Sequence, residues 1–470
     1  MQNLSWMEKT FSFITPMKEE KGKVALLLCL NLFFILVAYY LIKPVREGWI
    51  AIADIDGFTK IEIKAYSSFL QTVVLLIGVG CYAKLADKMD KKKLFFSTTL
   101  FFIANILLFW LLQPQLFIEK SACIGIIYYI WVNVFGVFIV AQFWTFCSSL
   151  YTHQEGYRLI PIISIGATLG SVAGSWAVTL LLRSQLINQY SLLLIAIVPL
   201  LISIYLMWKI EFAPPQQELS NHQEEKINTS IWIGIKLISQ NRFLFLAAAI
   251  SLLSNWVNTN GENLLFALVQ TVLENEFSQK SSTSSNSIDQ FIQHGTTVFY
   301  GDYFLWCGII AFLFQAFVAT KIIKAGGFGA ILLALPIIAL LSYSIILIAP
   351  ALMLIKSLKI IENASDFSFN NTAKHILWLK TPNQIKFHAK PAIDTFYMRL
   401  GDGLAALTIW LTMSILSISI DSLLLINIIL ILFWVGLSIA LIKEYRAQDC
   451  LTPPPSPSKL NQKNSRIQPV

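Results

Sequence analysis

Long apolar runs alternate with short polar breaks from residue 24 to residue 443, and the pattern predicts membrane-spanning helices along nearly the whole chain. About twelve spans are expected, near residues 24–52, 65–86, 94–112, 123–149, 158–182, 190–210, 242–274, 303–322, 328–348, 350–379, 391–418 and 420–443. The fold class is therefore all-α and polytopic. An acidic and polar linker over 211–241 separates a first six-helix half, 24–210, from a second, 242–443. A cytoplasmic segment over 1–23 precedes them and a tail over 444–470 follows. The tail and the Ser-rich stretch 279–289 bury too little apolar surface to fold and are expected to be disordered.

The polar positions inside this pattern carry the chemistry. Span one contains Lys43-Pro44-Val45-Arg46-Glu47 before its apolar pattern resumes at Trp49. A charge at a helix centre costs about 2.5–3.5 kcal/mol on insertion scales, so such groups face a cavity, a substrate or each other. Pro44 suggests an interrupted helix of the kind that lines transporter sites. Lys43 has a second reading, an anchor at the membrane interface.

Span ten repeats Lys356, Lys359, Asn363, Asp366, Asn370 and Lys374 every three or four residues, a polar stripe expected to face a water-filled cavity. Its first members, with Glu362, can also form a structural salt-bridge network. Lys374 has no acid one turn before it, leaving it available to an anion. Span seven carries Ser251, Asn255, Asn258 and Glu262 at the same spacing. In span eleven, Arg399 and Asp402 lie three apart and suit an ion pair or a gate. Trp144 in span four is a candidate to stack on a ring, as are Trp131, Phe135 and Phe138, with packing as the alternative. Gly166, Gly170 and Gly174 in span five allow close helix approach.

The two halves also resemble each other. The stretch Phe143-Trp144-Thr145-Phe146-Cys147-Ser148-Ser149 matches Asp366-Phe367-Ser368-Phe369-Asn370-Asn371-Thr372, and Thr168-Leu169-Gly170 matches Arg399-Leu400-Gly401. Aligning span one with span seven pairs Lys43 with Asn258 and Glu47 with Glu262. The arrangement is that of a parallel repeat, as in the major facilitator fold. The loop after span two, Ala83-Lys84-Leu85-Ala86-Asp87-Lys88-Met89-Asp90-Lys91-Lys92, resembles that fold's loop signature, with Asp87 as a charge-paired gate or helix cap.

Composition agrees. Mean hydropathy is +0.64, with 56% hydrophobic and 13% charged residues, outside the soluble range. Lys84, Lys88, Lys91, Lys92 and Lys93 crowd one loop, while Lys60, Lys64, Lys120, Arg183 and Lys280 are nearly all that the alternate loops hold. Both termini are then expected in the cytoplasm, with the chain in a bacterial inner (cytoplasmic) membrane. The net charge of +8 needs no nucleic-acid partner, because orientation and lipid headgroups account for it. The six cysteines stand singly and the five histidines are scattered, so no disulfide, metal site or cofactor is expected. His375 beside Lys374 is a candidate proton carrier.

The stretches 39–49, 131–151, 158–174 and 386–402 resemble the ATP/ADP translocase family of plastids and intracellular bacteria, distant relatives of the major facilitators. The resemblance implies nucleotide exchange, with phosphates met by basic residues that carry over onto Arg46 and Lys374. It also implies acidic residues in spans four and seven. Span four has none, and the matching position in span seven is Asn258, one turn from Glu262.

The expected function is transport rather than catalysis: a nucleotide or other phosphorylated anion exchanged by a monomer. Arg46 and Lys374 would neutralise phosphate, Lys43 would assist, Asn255, Asn258 and Asn370 would donate hydrogen bonds, and Glu262 would set selectivity. The alternative keeps the fold and changes the cargo to another organic anion or solute, with proton coupling through Glu262, Asp366 or His375.

Overall fold

The computed structural model describes residues 19–86, 88–113, 122–151, 153–185, 187–210, 231–280, 288–378, 381, 383–415 and 420–451. Asp87 and most of the linker, the Ser-rich stretch and the tail lie outside the described residues. Among those described, the secondary structure is helical throughout, because a bilayer leaves backbone groups no partners except those within a helix.

The first half comprises α1 (Glu19–Ala51), α2 (Lys60–Ala86), α3 (Lys91–Leu111), α4 (Ala122–Leu150), α5 (His153–Arg183) and α6 (Ser191–Lys209). After a short helix, α7 (Ile231–Gln240), the chain bends by 112° into α8 (Arg242–Lys280). The second half continues through α9 (Ile288–Leu313), α10 (Ala319–Ile348), α11 (Leu352–Ser365), α12 (Asn371–Leu377), α13 (Asn383–Pro391), α14 (Met398–Ile409) and α15 (Ile420–Leu451).

Among the described residues, eight helical segments are long and apolar enough to cross a membrane, or nine with the bent α7–α8 pair. One of the eight, Ile288–Ile348, has 61 residues, about 90 Å of helix and far more than one bilayer crossing. It contains α9 and α10 and turns at Gly327, whose φ of 62° suits glycine. In spans ten and eleven, polar residues and π-helical turns, Asp366–Asn370 and Ala392–Tyr397, interrupt the apolar helix. The chain is an integral multi-pass membrane protein.

The halves repeat their packing. In the first, α1 packs on α5, α6 and α4; in the second, α8 packs on α14, α15 and α11. Across the halves, α5 meets α9, α2 meets α14 and α1 meets α9. The glycines of α5 make the closest approach. A Cβ at Gly166, Gly170 or Gly174 would strike the carbonyl oxygen of Cys29, Phe33 or Val37 on α1.

Gly401 on α14 sits likewise against the Leu252 carbonyl and the Asn255 Cβ of α8, as Gly170 sits against the Phe33 carbonyl and the Leu36 Cβ. These contacts equate Phe33 with Leu252 and Leu36 with Asn255. The expected alignment of spans one and seven is therefore corrected by one helical turn: Lys43 is the counterpart of Glu262, and Tyr39 of Asn258. Polar residues recur every turn in both helices, so sequence spacing alone fits either register.

A second correction concerns Pro44. It lies inside α1, which runs unbroken from Glu19 to Ala51. Dense packing by α4, α5, α6 and α9 holds the helix through the missing backbone donor.

Candidate functional site

A cavity of about 190 Å³ lies between the halves, walled by α1, α2 and α4 on one side and α8, α9 and α14 on the other. Four basic side chains, Lys43, Arg46, Lys64 and Arg399, line it with three acidic ones, Glu47, Glu262 and Asp402. Asn255, Asn258 and Thr259 add amide and hydroxyl groups from α8, and Gln71 and Asn133 add amides from α2 and α4.

Most of these charges are already paired. Glu47 accepts from Arg46 Nε at 2.9 Å and lies 2.9 Å from Lys64 Nζ. Arg46 also donates to Asn133 Oδ1, whose amide donates to Gln71, and its guanidinium lies 4.6 Å from the Tyr129 ring centre. On the facing half, Arg399 Nη1 is 3.1 Å from Asp402 Oδ2. The other oxygen, Oδ1, accepts from Asn255 and Thr259, each at 2.7 Å. Both clusters pair each buried charge with an opposite one, as burial requires.

Two charges differ. Lys43 Nζ has no carboxylate within ion-pair distance among the described residues and sits instead among three rings, 4.0 Å from the centre of Phe304, 5.0 Å from Tyr40 and 5.6 Å from Tyr39. Glu262 has no cation within that distance among them; its partner is the Asn258 amide at 3.4 Å. The interface-anchor reading of Lys43 gives way to this position, in the last third of α1 and lining the cavity between the halves.

Lys64 was expected in a translocated loop. It belongs to α2, is 3% exposed, and reaches across to Phe266 of α8 at 4.3 Å and Tyr300 of α9 at 5.4 Å. A lysine at the edge of an apolar run reads as a loop residue; only the facing Glu47 shows otherwise. Tyr129 and Asn133, one turn apart on α4, also line the cavity; an uncharged tyrosine and asparagine in an apolar run carry no sequence signal that marks them as site residues.

The remaining expected site residues lie elsewhere. Lys374, on α12, approaches Met398 Sδ at 3.9 Å and is within electrostatic reach of Asp394. It does not line the cavity that holds Arg46, and its acidic neighbour comes from the next span rather than the preceding turn. Asn370 donates to Asp366 at 2.6 Å, also away from the cavity. Trp144 packs edge-on against Phe143 at 5.4 Å, and Trp131 stacks on Phe135 at 5.7 Å within the apolar core. Arg46, Lys43, Asn255, Asn258, Glu262, Arg399 and Asp402 are brought together.

The polar stripe of span ten faces the second half's interior rather than open water. Lys359, 1% exposed, pairs with Glu362 at 2.9 Å; Lys356 pairs with Asp302 of α9; Asn363 donates to Tyr303 at 2.6 Å.

Contacts between the halves engage the later part of α1 and the matching ends of α2 and α5. A Cβ at Gly48 would strike Thr297, the Tyr190 hydroxyl donates to Gln293 at 2.7 Å, and Arg183 lies 3.5 Å from Asp302. These seal the face opposite the one where α1 begins.

No family model and no curated protein matches the chain. Solved structures do. A mutant of the nucleoside transporter NupG superposes with a TM-score of 0.62 at 14% identity, covering 89% of this chain and 99% of that one. A bacterial homologue of the lysosomal transporter Spinster, in an inward-facing, unoccupied conformation, gives 0.57 at 11% identity over 90% and 97%. The POT family transporter PepTSo gives 0.57 at 11% over 92% and 99%. The likeness defines the fold as that of the major facilitator transporters. Nothing in it is specific to the ATP/ADP translocases.

Proposed function

We propose that the protein is an alternating-access transporter of a small organic anion, bound between the halves beside Lys43. The observation that carries this reading is the state of that lysine. Of the four cations lining the cavity it is the one with no carboxylate partner among the described residues, so an incoming anion gains its charge without first breaking an ion pair. Arg46, fixed by Glu47 and Asn133, supplies a second, oriented donor. The sealed face and the inward-facing neighbour support a resting state open toward the face bearing the termini.

Nucleotides, which the resemblance implies, belong to this cargo class. Ligand pockets usually span about 300–1,000 Å³. A cavity of about 190 Å³ suits a smaller anion in this conformation, and a nucleotide requires it to widen. Exchange of cargoes differing in charge would be driven by the membrane potential, at about 2.3 kcal/mol per charge per 100 mV. The test is uptake of labelled ATP, ADP and smaller phosphorylated and carboxylated anions into intact bacterial cells expressing the protein, with internal counter-substrate varied. Saturable uptake of at least one anion is expected; none, from correctly inserted protein, overturns the reading.

A further inference from the structure

Behind the cavity, the second half holds a buried ion pair that the binding of cargo does not use. Lys359 and Glu362 of α11 are 1% and 3% exposed, and Lys359 Nζ meets Glu362 Oε1 at 2.9 Å. The other carboxylate oxygen, Oε2, is buried with no hydrogen-bond partner among the described residues. An ionised carboxylate half of whose acceptor capacity is empty in an apolar interior is under-compensated. A protonated one loses that cost.

The same lysine reaches toward the cavity. Its Nζ lies 3.4 Å from Asn258 Oδ1, and the Asn258 amide nitrogen lies 3.4 Å from Glu262 Oε1. A line of polar groups therefore runs from Glu362 through Lys359 and Asn258 to a cavity-lining carboxylate.

We propose that Glu362 is a proton-binding site, and that Lys359 and Asn258 connect its protonation to the charge of the cavity at Glu262. The proton comes from cavity water and adds to Oε2, forming one O–H bond as one breaks in hydronium. Neutral Glu362 no longer holds the Lys359 ammonium, which keeps Asn258 Oδ1 on the cavity side and the Tyr343 hydroxyl as its partners. The ammonium then shifts its field onto Glu262, and the cavity repels an anion less. Linkage makes the effect reciprocal: a bound anion also favours the proton, so the two travel together.

The groups facing Glu362 from every packed element fit this assignment. Lys359 and Asp366 lie on its own span, Glu262 on α8, Tyr303 on α9 and Tyr343 on α10. Lys359 is the one cation among them. The remaining carboxylates, Asp366 and Glu262, oppose a second negative charge. This proposal rests on the anion-transport reading for its coupling, and the proton site itself does not.

The experiment has two arms on the full chain reconstituted in lipid. Infrared difference spectra across a pH titration read the C=O stretch of a protonated carboxyl without any cargo. The band should grow as pH falls in the wild type and be lost in Glu362→Gln. In Lys359→Gln it should be present at every pH, since the carboxylate has lost its counter-ion; this variant decides the matter if Glu362→Gln does not fold. A titration identical in the wild type and both variants overturns the site.

In the second arm an inward proton gradient should concentrate labelled ATP or inorganic phosphate in wild-type vesicles, while Glu362→Gln retains equilibrative exchange and accumulates neither. Gradient-driven accumulation by Glu362→Gln equal to wild type overturns the coupling. Absence of uptake of either probe by the wild type, with the infrared band present, supports the proton site and overturns its link to an anion.

Discussion

Lys43 and Glu262 occupy equivalent positions in the two halves, face one cavity from opposite sides, and are not in ion-pair contact. The equivalence follows from the way Gly170 and Gly401 each rest on the first helix of their own half, α1 and α8. A pseudo-symmetric fold has thus placed a cation and an anion at one structural position. The first half attracts negative charge there and the second rejects it, which gives the cavity a polarity.

Lys43 and Arg46 should respond differently to neutralisation. Lys43→Gln removes only cation–π contacts, so the protein should fold normally while its apparent affinity for the anion falls about tenfold, near 1.4 kcal/mol. Dose–response uptake with a parallel thermal melt separates these effects. Arg46→Gln instead breaks the buried Glu47 cluster, at a cost of about 3–5 kcal/mol. Its melting temperature should fall markedly; an Arg46→Gln protein as stable as wild type contradicts the pairing seen here.

Lys64 and Glu47 form a buried pair across α1 and α2. Lys64→Met alone should lower stability and surface expression, and adding Glu47→Gln should recover part of the loss, because the second change removes the carboxylate left under-compensated. A double variant less stable than either single one by fluorescence-detected melting argues against a shared cluster.

The sealed face offers a direct test of alternating access. A Cβ built at Gly301 lies 3.4 Å from the Val178 Cβ, close to the range of about 3.5–4.5 Å that a disulfide requires. The pair Val178→Cys and Gly301→Cys should cross-link under mild oxidation, stop transport, and regain activity on reduction. Cross-linking with transport intact contradicts opening at this face.

The small-residue stripe predicts a fold defect. Gly170→Leu should prevent α5 from lying on α1, and Gly401→Leu should do the same to α14 on α8, each costing about 1–3 kcal/mol. Both should reduce the yield of monodisperse protein on size-exclusion chromatography, while Gly80→Leu, with open space around it, should not.

The spans, their division into halves and the glycine stripe were legible because lipid forces one pattern on the sequence: apolar runs of fixed length and small residues where backbones touch. Spans eight and nine were separable by length alone. The site was legible in part. Arg46 and Glu262 stand out because charges inside apolar runs are costly, yet cost does not say which partner repays it. Lys374 looked free because its acid, Asp394, comes from another span. Lys64 looked like a loop residue because its acid, Glu47, lies on α1. The register of the repeat was illegible for the same reason, since polar residues recur every turn and only packing fixes which turn matches which.

The most direct measurement is concentration-dependent uptake of labelled ATP, ADP and smaller anions into proteoliposomes holding wild-type or Lys43→Gln protein at equal, verified insertion. The account predicts saturable uptake of at least one anion by the wild type and about a tenfold weaker apparent affinity in the variant. Saturable uptake at the same apparent affinity in both proteins would contradict it, by showing that the unpaired lysine of the cavity is not where the anion binds.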